Sequence, residues 1–128
     1  MSITTPGLGA YETAMRASDA DLVGGLREVL GAQLVAYLGS VRETRAVRQW
    51  ADGERVPSTA TMTRLRLAFH AAGILAEREH PRVVQAWFTG LNPHLDDASP
   101  ARLIREAPDL DDAGARILAA ARSFVADA

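Results

Sequence analysis

The chain contains no cysteine. Disulfide scaffolds, thiolate metal centres and a cysteine nucleophile are therefore excluded. The same lack is compatible with a reducing cytoplasm, where this protein is expected to reside. Lysine is missing as well: all 14 basic residues are arginine. Codon usage in a GC-rich genome accounts for such a bias, although guanidinium forks also suit phosphate and guanine. Aromatics make up only 5 % of the residues, while the 48 % that are hydrophobic are rich in Ala and Leu. That balance favours helices over sheets, which draw on Val, Ile, Thr, Tyr and Phe. No apolar run reaches about 18 residues, and no basic-then-apolar leader opens the chain, so neither a membrane span nor an export signal is expected. A chain of 128 residues has little room for a TIM barrel or a full dinucleotide-binding domain. It fits one domain, or two small lobes sharing a core.

Side chains arranged for catalysis are also scarce. His70, His80 and His94 share no metal-ligand spacing. The acid pairs Asp96-Asp97 and Asp111-Asp112 are adjacent, so their carboxylates diverge, and capping explains them better than acid–base work. Gly7-Leu8-Gly9 and Gly24-Gly25 lack the preceding strand that a phosphate loop needs. No enzyme, metal site or cofactor is expected.

The net charge of −2 hides an asymmetry. Residues 42–78 carry seven arginines against four acids, a net +3, while the flanking stretches 1–41 and 79–128 sum to −2 and −3. A basic middle between acidic ends points to two different partners, although +3 over such a length is also within ordinary scatter.

Periodicity and punctuation predict an all-α fold of about seven helices. Residues 1–18, with Pro6, Gly7 and Gly9, read as a flexible arm, with room for a short helix near 11–16. A first helix runs from Ser18 or Asp19 to about Leu30, and a second from about Ala32 to Leu38, ended by Gly39. Ser40-Val41-Arg42-Glu43 fits a capping box and predicts a third helix over about 41–51, stopping near Asp52-Gly53. The fourth and longest covers about 59–78. Its apolar residues form two nearly opposite stripes, one with Met62, Leu65 and Phe69, the other with Leu67, Ala71 and Ile74. A surface helix needs one stripe, so the second must meet the C-terminal lobe, a dimer mate or a partner protein, and the expectation is the first, with this helix linking two lobes. Pro81 and Pro100 open the next two helices. The last starts at Asp109 or Asp111, with Ile117, Leu118, Ala121, Phe124 and Val125 on its apolar side. The domains are then 1–18, an arm; 19–78, a helix-turn-helix lobe; and 79–128, a small helical C-terminal lobe.

Leu34–Leu38, Gly39, Val47, Trp50, Gly53 and Pro57 form an ordered series: a short helix, a glycine turn, and a second helix with Val47 and Trp50 inward. This is the helix-turn-helix layout, whose second helix enters the major groove. On a wheel of about 100° per residue, Arg42, Arg45, Arg48 and Gln49 share the side away from Val47 and Trp50. Arginine pairs with guanine and glutamine with adenine in two-pronged contacts. Arg55, just past the helix, suits a phosphate. The candidate DNA-contacting residues are Arg42, Thr44, Arg45, Arg48, Gln49 and Arg55. The bland alternative is a solvated amphipathic helix that touches nothing.

The stretch LVAYLGSVRETRAVRQWADGERVPS resembles the helix-turn-helix of Xre-type regulators. The interval from Gly39 to Gly53 is longer than the usual one in that pattern, which allows the recognition helix to begin at Thr44 instead of Val41. HPRVVQAWFTGLNPHLDDASPARLIREA is similar to the C-terminal toxin-binding domain of Xre/MbcA/ParS-type antitoxins. The shared pattern is an aromatic-ended helix, Leu-Asn-Pro-x-Leu, then Ser-Pro followed by Leu-Ile. Glu106-Ala107-Pro108-Asp109 stands where that pattern would have a glycine-containing turn.

The resemblance implies the antitoxin of a type II toxin–antitoxin pair, with no catalysis of its own. Its C-terminal lobe would block a cognate toxin, typically a RES-domain enzyme that consumes NAD, and its N-terminal lobe would repress the operon by binding promoter DNA. Trp87, Phe88, Asn92, Pro93 and Leu95 are the toxin-binding residues it implies. On the residues alone, Leu91 and Leu95 read as plugs between helices, with Asn92-Pro93 keeping the loop extended. For Asn92 and Pro93 a structural part outweighs direct partner contact. A stand-alone repressor, or a protein-binding module with a vestigial helix-turn-helix, remains the alternative. A DNA reader of this size is expected to be a homodimer on half-sites about one helical turn apart.

Overall fold

A computed structural model describes residues 8–127 of the chain. Among them eight α-helices follow one another: α1 Leu8–Arg16, α2 Asp19–Leu30, α3 Ala32–Leu38, α4 Thr44–Ala51, α5 Thr59–Ala76, α6 Pro81–Thr89, α7 Pro100–Glu106 and α8 Leu110–Ala126. A short 3-10 helix, Pro93–Leu95, lies between α6 and α7. The fold is all-α, as the composition predicts.

Local chemistry sets most helix starts. Ser18 Oγ accepts the Asp21 amide at 3.2 Å, Ser58 Oγ that of Thr61 at 3.1 Å, and Ser99 Oγ that of Arg102 at 3.2 Å. Asp109 Oδ1 receives the amides of both Asp111 and Asp112. Each oxygen satisfies amides that the first helical turn cannot. At α6 the cap is His80, whose Nδ1 accepts the Arg82 amide, with Pro81 preset for the first helical position.

α5 is the axis of the molecule. It touches α1, α2, α3, α6, α7 and α8. Leu65, Ala68, Ala71, Ile74 and Leu75 are all fully buried along it. Both of its apolar stripes are therefore covered within the monomer. Gly114 of α8 faces the Leu67 side chain.

One apolar core runs from Leu22 in α2 to Val125 in α8. The segments 19–78 and 79–128 share it and are stitched together: Gln85 Nε2 donates to the Val29 carbonyl at 2.9 Å, and Arg105 Nη1 to that of Tyr37 at 2.9 Å.

The expected arm holds a docked helix. α1 packs on α5, and Arg66 reaches across to the carbonyls of Ala14 and Ala17 and to Asp19 Oδ1. Ala14 is buried, and α1 approaches so closely that a Cβ on Gly73 would stand 2.7 Å from that of Ala10. Residues 1–7 lie outside the described residues.

Candidate functional site

α3 and α4 are the two helices expected to make a helix-turn-helix, and the turn between them differs from the expected capping box. Ser40 has φ 59°, a left-handed conformation, and its hydroxyl does not cap α4. Its amide donates to the Tyr37 carbonyl and the Val41 amide to that of Ala36. This pair of bonds closes the C-terminus of α3, with serine in the position that glycine usually takes. Gly39 itself is right-handed, φ −80°. α4 begins at Thr44, with Glu43 as N-cap and no side-chain cap bond. The longer glycine-to-glycine interval is accommodated in the turn, not in α4.

The end of α3 is fastened from three sides. Leu38 O accepts from Arg64 Nε at 3.2 Å, Gly39 O from Thr61 Oγ1 at 3.4 Å, and Tyr37 O from Arg105. A helix terminus whose carbonyls are occupied in this way cannot fray, so α4 starts from a fixed point.

α4 is sharply two-sided. Ala46, Val47 and Trp50 are buried, Val47 completely. Arg42, Thr44, Arg45 and Arg48 are exposed, and Gln49 is half-buried. Gly53, at φ 75°, ends the helix and turns the chain back, so that the amides of both Glu54 and Arg55 donate to the Gln49 carbonyl. That return brings Arg55 beside Gln49. Arg42, Arg45, Gln49 and Arg55 line one open concavity of about 460 Å³. Arg48 stands apart, with Nη1 lying 3.4 Å from Asp52 and 3.7 Å from Glu54. Five of the six sequence-selected residues thus remain open to a ligand, and the sixth is held by neighbouring carboxylates.

The C-terminal residues behave differently. Trp87, Phe88, Asn92 and Leu95 are buried, with Phe88 fully enclosed and edge-on to Trp87 at 5.1 Å. Asn92 closes the loop: its Oδ1 accepts the His94 amide, and its backbone pairs with Leu95, Asp97 and Ala98. Pro93 is exposed. Leu95 is the expected plug, but Leu91 is 78 % exposed and plugs nothing. Nor does Phe124 complete the buried stripe of α8; it is partly exposed.

Leu91 and Phe124 instead border an apolar groove of about 570 Å³, together with Val83, Trp87 and Pro93. Trp87, Asn92 and Pro93 are the implied toxin-binding residues that reach this groove; Leu91, Val83 and Phe124 supply its exposed apolar surface. One signal for Leu91 was available in the sequence. A lone large apolar residue between Gly90 and Asn92-Pro93 has no helical neighbour to bury it.

No family model, curated protein or solved structure matches this chain. Among the described residues no group of acids and histidines is placed to hold a metal ion, and no helix is long and apolar enough to cross a membrane.

Proposed function

We propose that this chain is the antitoxin of a type II toxin–antitoxin pair, binding promoter DNA through α4 and a partner protein through the groove between α6 and α8. The observation that carries the proposal is the presence of both surfaces on one core. A cationic helix is turned outward beside α2 and α3, and an exposed apolar groove is built from other elements. Arg42, Arg45 and Arg55 supply phosphate and guanine contacts, and Gln49 an adenine contact. The groove offers the exposed apolar patch, rimmed by polar groups, that a protein partner covers.

The partner class implied by the sequence resemblance is a RES-domain toxin that consumes NAD. The chain acts in the cytoplasm by occluding that toxin and by repressing its own operon, as a homodimer, without cofactor or catalysis. Co-expression with the neighbouring reading frame tests this. The neighbour is expected to be toxic alone and harmless beside this protein; a neighbour that is innocuous alone overturns the antitoxin reading. A stand-alone repressor is the second reading, favoured by the burial of Trp87, Phe88, Asn92 and Leu95 in the monomer's own core. It requires specific promoter binding with no toxin-like neighbour.

A further inference from the structure

We propose that the nucleic-acid surface continues from α4 across the turn onto α7, where Arg105 grips a backbone phosphate outside the helix-turn-helix. The inference rests on the reading of α4 as a DNA-contacting helix and extends it to a residue from the other half of the chain.

Arg105 is prepared for such a contact. Its Cζ lies 4.6 Å from the centroid of the Tyr37 ring, and Nη1 donates to the Tyr37 carbonyl at 2.9 Å. Stacking and hydrogen bonding fix the plane of the guanidinium before any ligand arrives, so less side-chain entropy is lost on binding. A guanidinium has five N–H groups, so donors remain. The charge also remains uncompensated: none of the ion pairs among the described residues involves Arg105. The neighbouring acid, Glu106, is taken by Arg102 at 2.8 Å. The hydrogen bond and charge of Glu106 raise the Arg102 pKa above its ordinary value.

Position supplies the rest. Arg105, Tyr37 and Gln33 line an open concavity of about 730 Å³ together with Arg42, Thr44 and Arg45. Arg42 and Arg45 also line the concavity that holds Gln49 and Arg55. The two form a continuous strip with four guanidinium groups, from Arg55 through Arg45 and Arg42 to Arg105. Glu43 is the one acid lining it among the described residues. No side chain caps the start of α4, so the positive end of that helix adds to the field. A cationic strip spread over two elements fits successive phosphates of a duplex strand, which recur every 3.4 Å or so along the axis.

The test is the salt dependence of binding. Fluorescence anisotropy follows the full-length protein on two duplexes of about three helical turns each, one from upstream of its own gene and one of random sequence. Arg105→Gln is expected to lower affinity several-fold on both and to reduce the log–log salt slope by about 0.9, the share of one phosphate. Arg105→Lys, which keeps the charge, is expected to retain the slope. An unchanged slope in Arg105→Gln overturns the inference and leaves α4 as the reader.

Because Arg105 also braces α3, a thermal melt accompanies each variant. Gln33→Glu gives an independent arm, since this exposed side chain lines the same end of the strip and makes no hydrogen bond or ion pair among the described residues. It is expected to weaken binding to both duplexes, and unchanged affinity overturns the inference. If the unmodified protein binds neither duplex, the reading of α4 fails and Arg105 falls with it. That outcome is distinct from a wild type that binds and an Arg105→Gln variant that binds equally well.

Discussion

A carbon placed on Gly39 would stand 3.1 Å from both Cη2 and Cζ3 of Trp50. The C-cap of α3 and the anchor of α4 therefore meet so closely that an added methyl group would force the indole to shift. The backbone of Gly39, φ −80° and ψ −1°, is one that alanine adopts freely, so the cost of Gly39→Ala is steric. Both residues are buried, and the indole cannot swing into solvent to make way. The expected loss is roughly 1–3 kcal/mol, the range for an added methylene in a packed core. Urea unfolding measures it as a lower midpoint at unchanged slope. A variant as stable as the parent would mean that Trp50 has freedom the packing denies it.

Ser40 offers a test in which the sign decides. A serine that capped α4 would lose a few tenths of a kcal/mol on replacement by glycine. The serine seen here sits at φ 59°, where glycine is at ease and L-residues are not. Ser40→Gly is therefore expected to stabilise the protein by roughly 0.5–1 kcal/mol. Calorimetry reads it as an upward shift of the melting temperature, and a downward shift would restore the capping box.

These two positions show where the sequence was legible. Helix boundaries written by local chemistry, such as Ser18, Pro81, Pro100 and Asp109, could be read directly because each oxygen or ring acts on its own neighbours. The inward set of Val47 and Trp50 followed from a period of about 3.6 residues. Ser40 misled because Ser-x-x-Glu satisfies two geometries, and the choice between them is made at a distance, by Trp50, Thr61, Arg64 and Arg105 around the end of α3. Periodicity likewise put Phe124 on the α8 stripe; its partial exposure follows from where α6 and the loop after it come to rest. Arg105 carries no local mark at all. Its place beside Tyr37 exists only once α7 has docked on α3.

The arginines of α4 should not be equivalent. Arg45 is exposed, with no ion pair among the described residues, whereas Arg48 has Asp52 and Glu54 within 4 Å. Exposed pairs of this kind contribute little to stability, but a phosphate or base must compete with both carboxylates. Arg45→Ala is expected to reduce the salt slope by about 0.9 and Arg48→Ala by clearly less. Neutralising the acids with Asp52→Asn and Glu54→Gln is expected to raise affinity, and the gain should shrink when Arg48 is absent. A gain of equal size without Arg48 would assign it to general repulsion.

α1 is held by the Arg66 side chain, by the close approach of Ala10 to Gly73, and by the ring contact of Tyr11 with His70 at 5.5 Å. Arg66 bonds two carbonyls of the α1 end and Asp19, and Gly73 leaves room for Ala10. Hydrogen bonds from a charged donor are worth about 1.5–3 kcal/mol in such settings, so Arg66→Met is expected to loosen α1. Gly73→Ala should do the same by displacement. Hydrogen exchange checks both: amides of residues 10–17 should exchange faster while those of Val47 and Leu65 keep their protection. Uniform loss across the chain would instead make α1 part of the cooperative core.

Leu91 and Trp87 separate a docking surface from a structural core. Leu91 is exposed, so Leu91→Ser should change stability by no more than about 0.5 kcal/mol. Trp87 is buried against Phe88, and Trp87→Ala should cost roughly 3–5 kcal/mol, a large share of the stability of an ordinary domain and enough to disturb the groove's own wall. Loss of partner binding in the Trp87 variant therefore says nothing about contact. Loss in a fully folded Leu91→Ser does, because only a molecule seated in the groove feels that side chain. The expected result is at least tenfold weaker capture of the neighbouring gene product, the scale of a central apolar contact, with promoter binding unchanged. If folded Leu91→Ser and Phe124→Ser variants both hold the partner as tightly as the parent does, the groove between α6 and α8 is not where it binds.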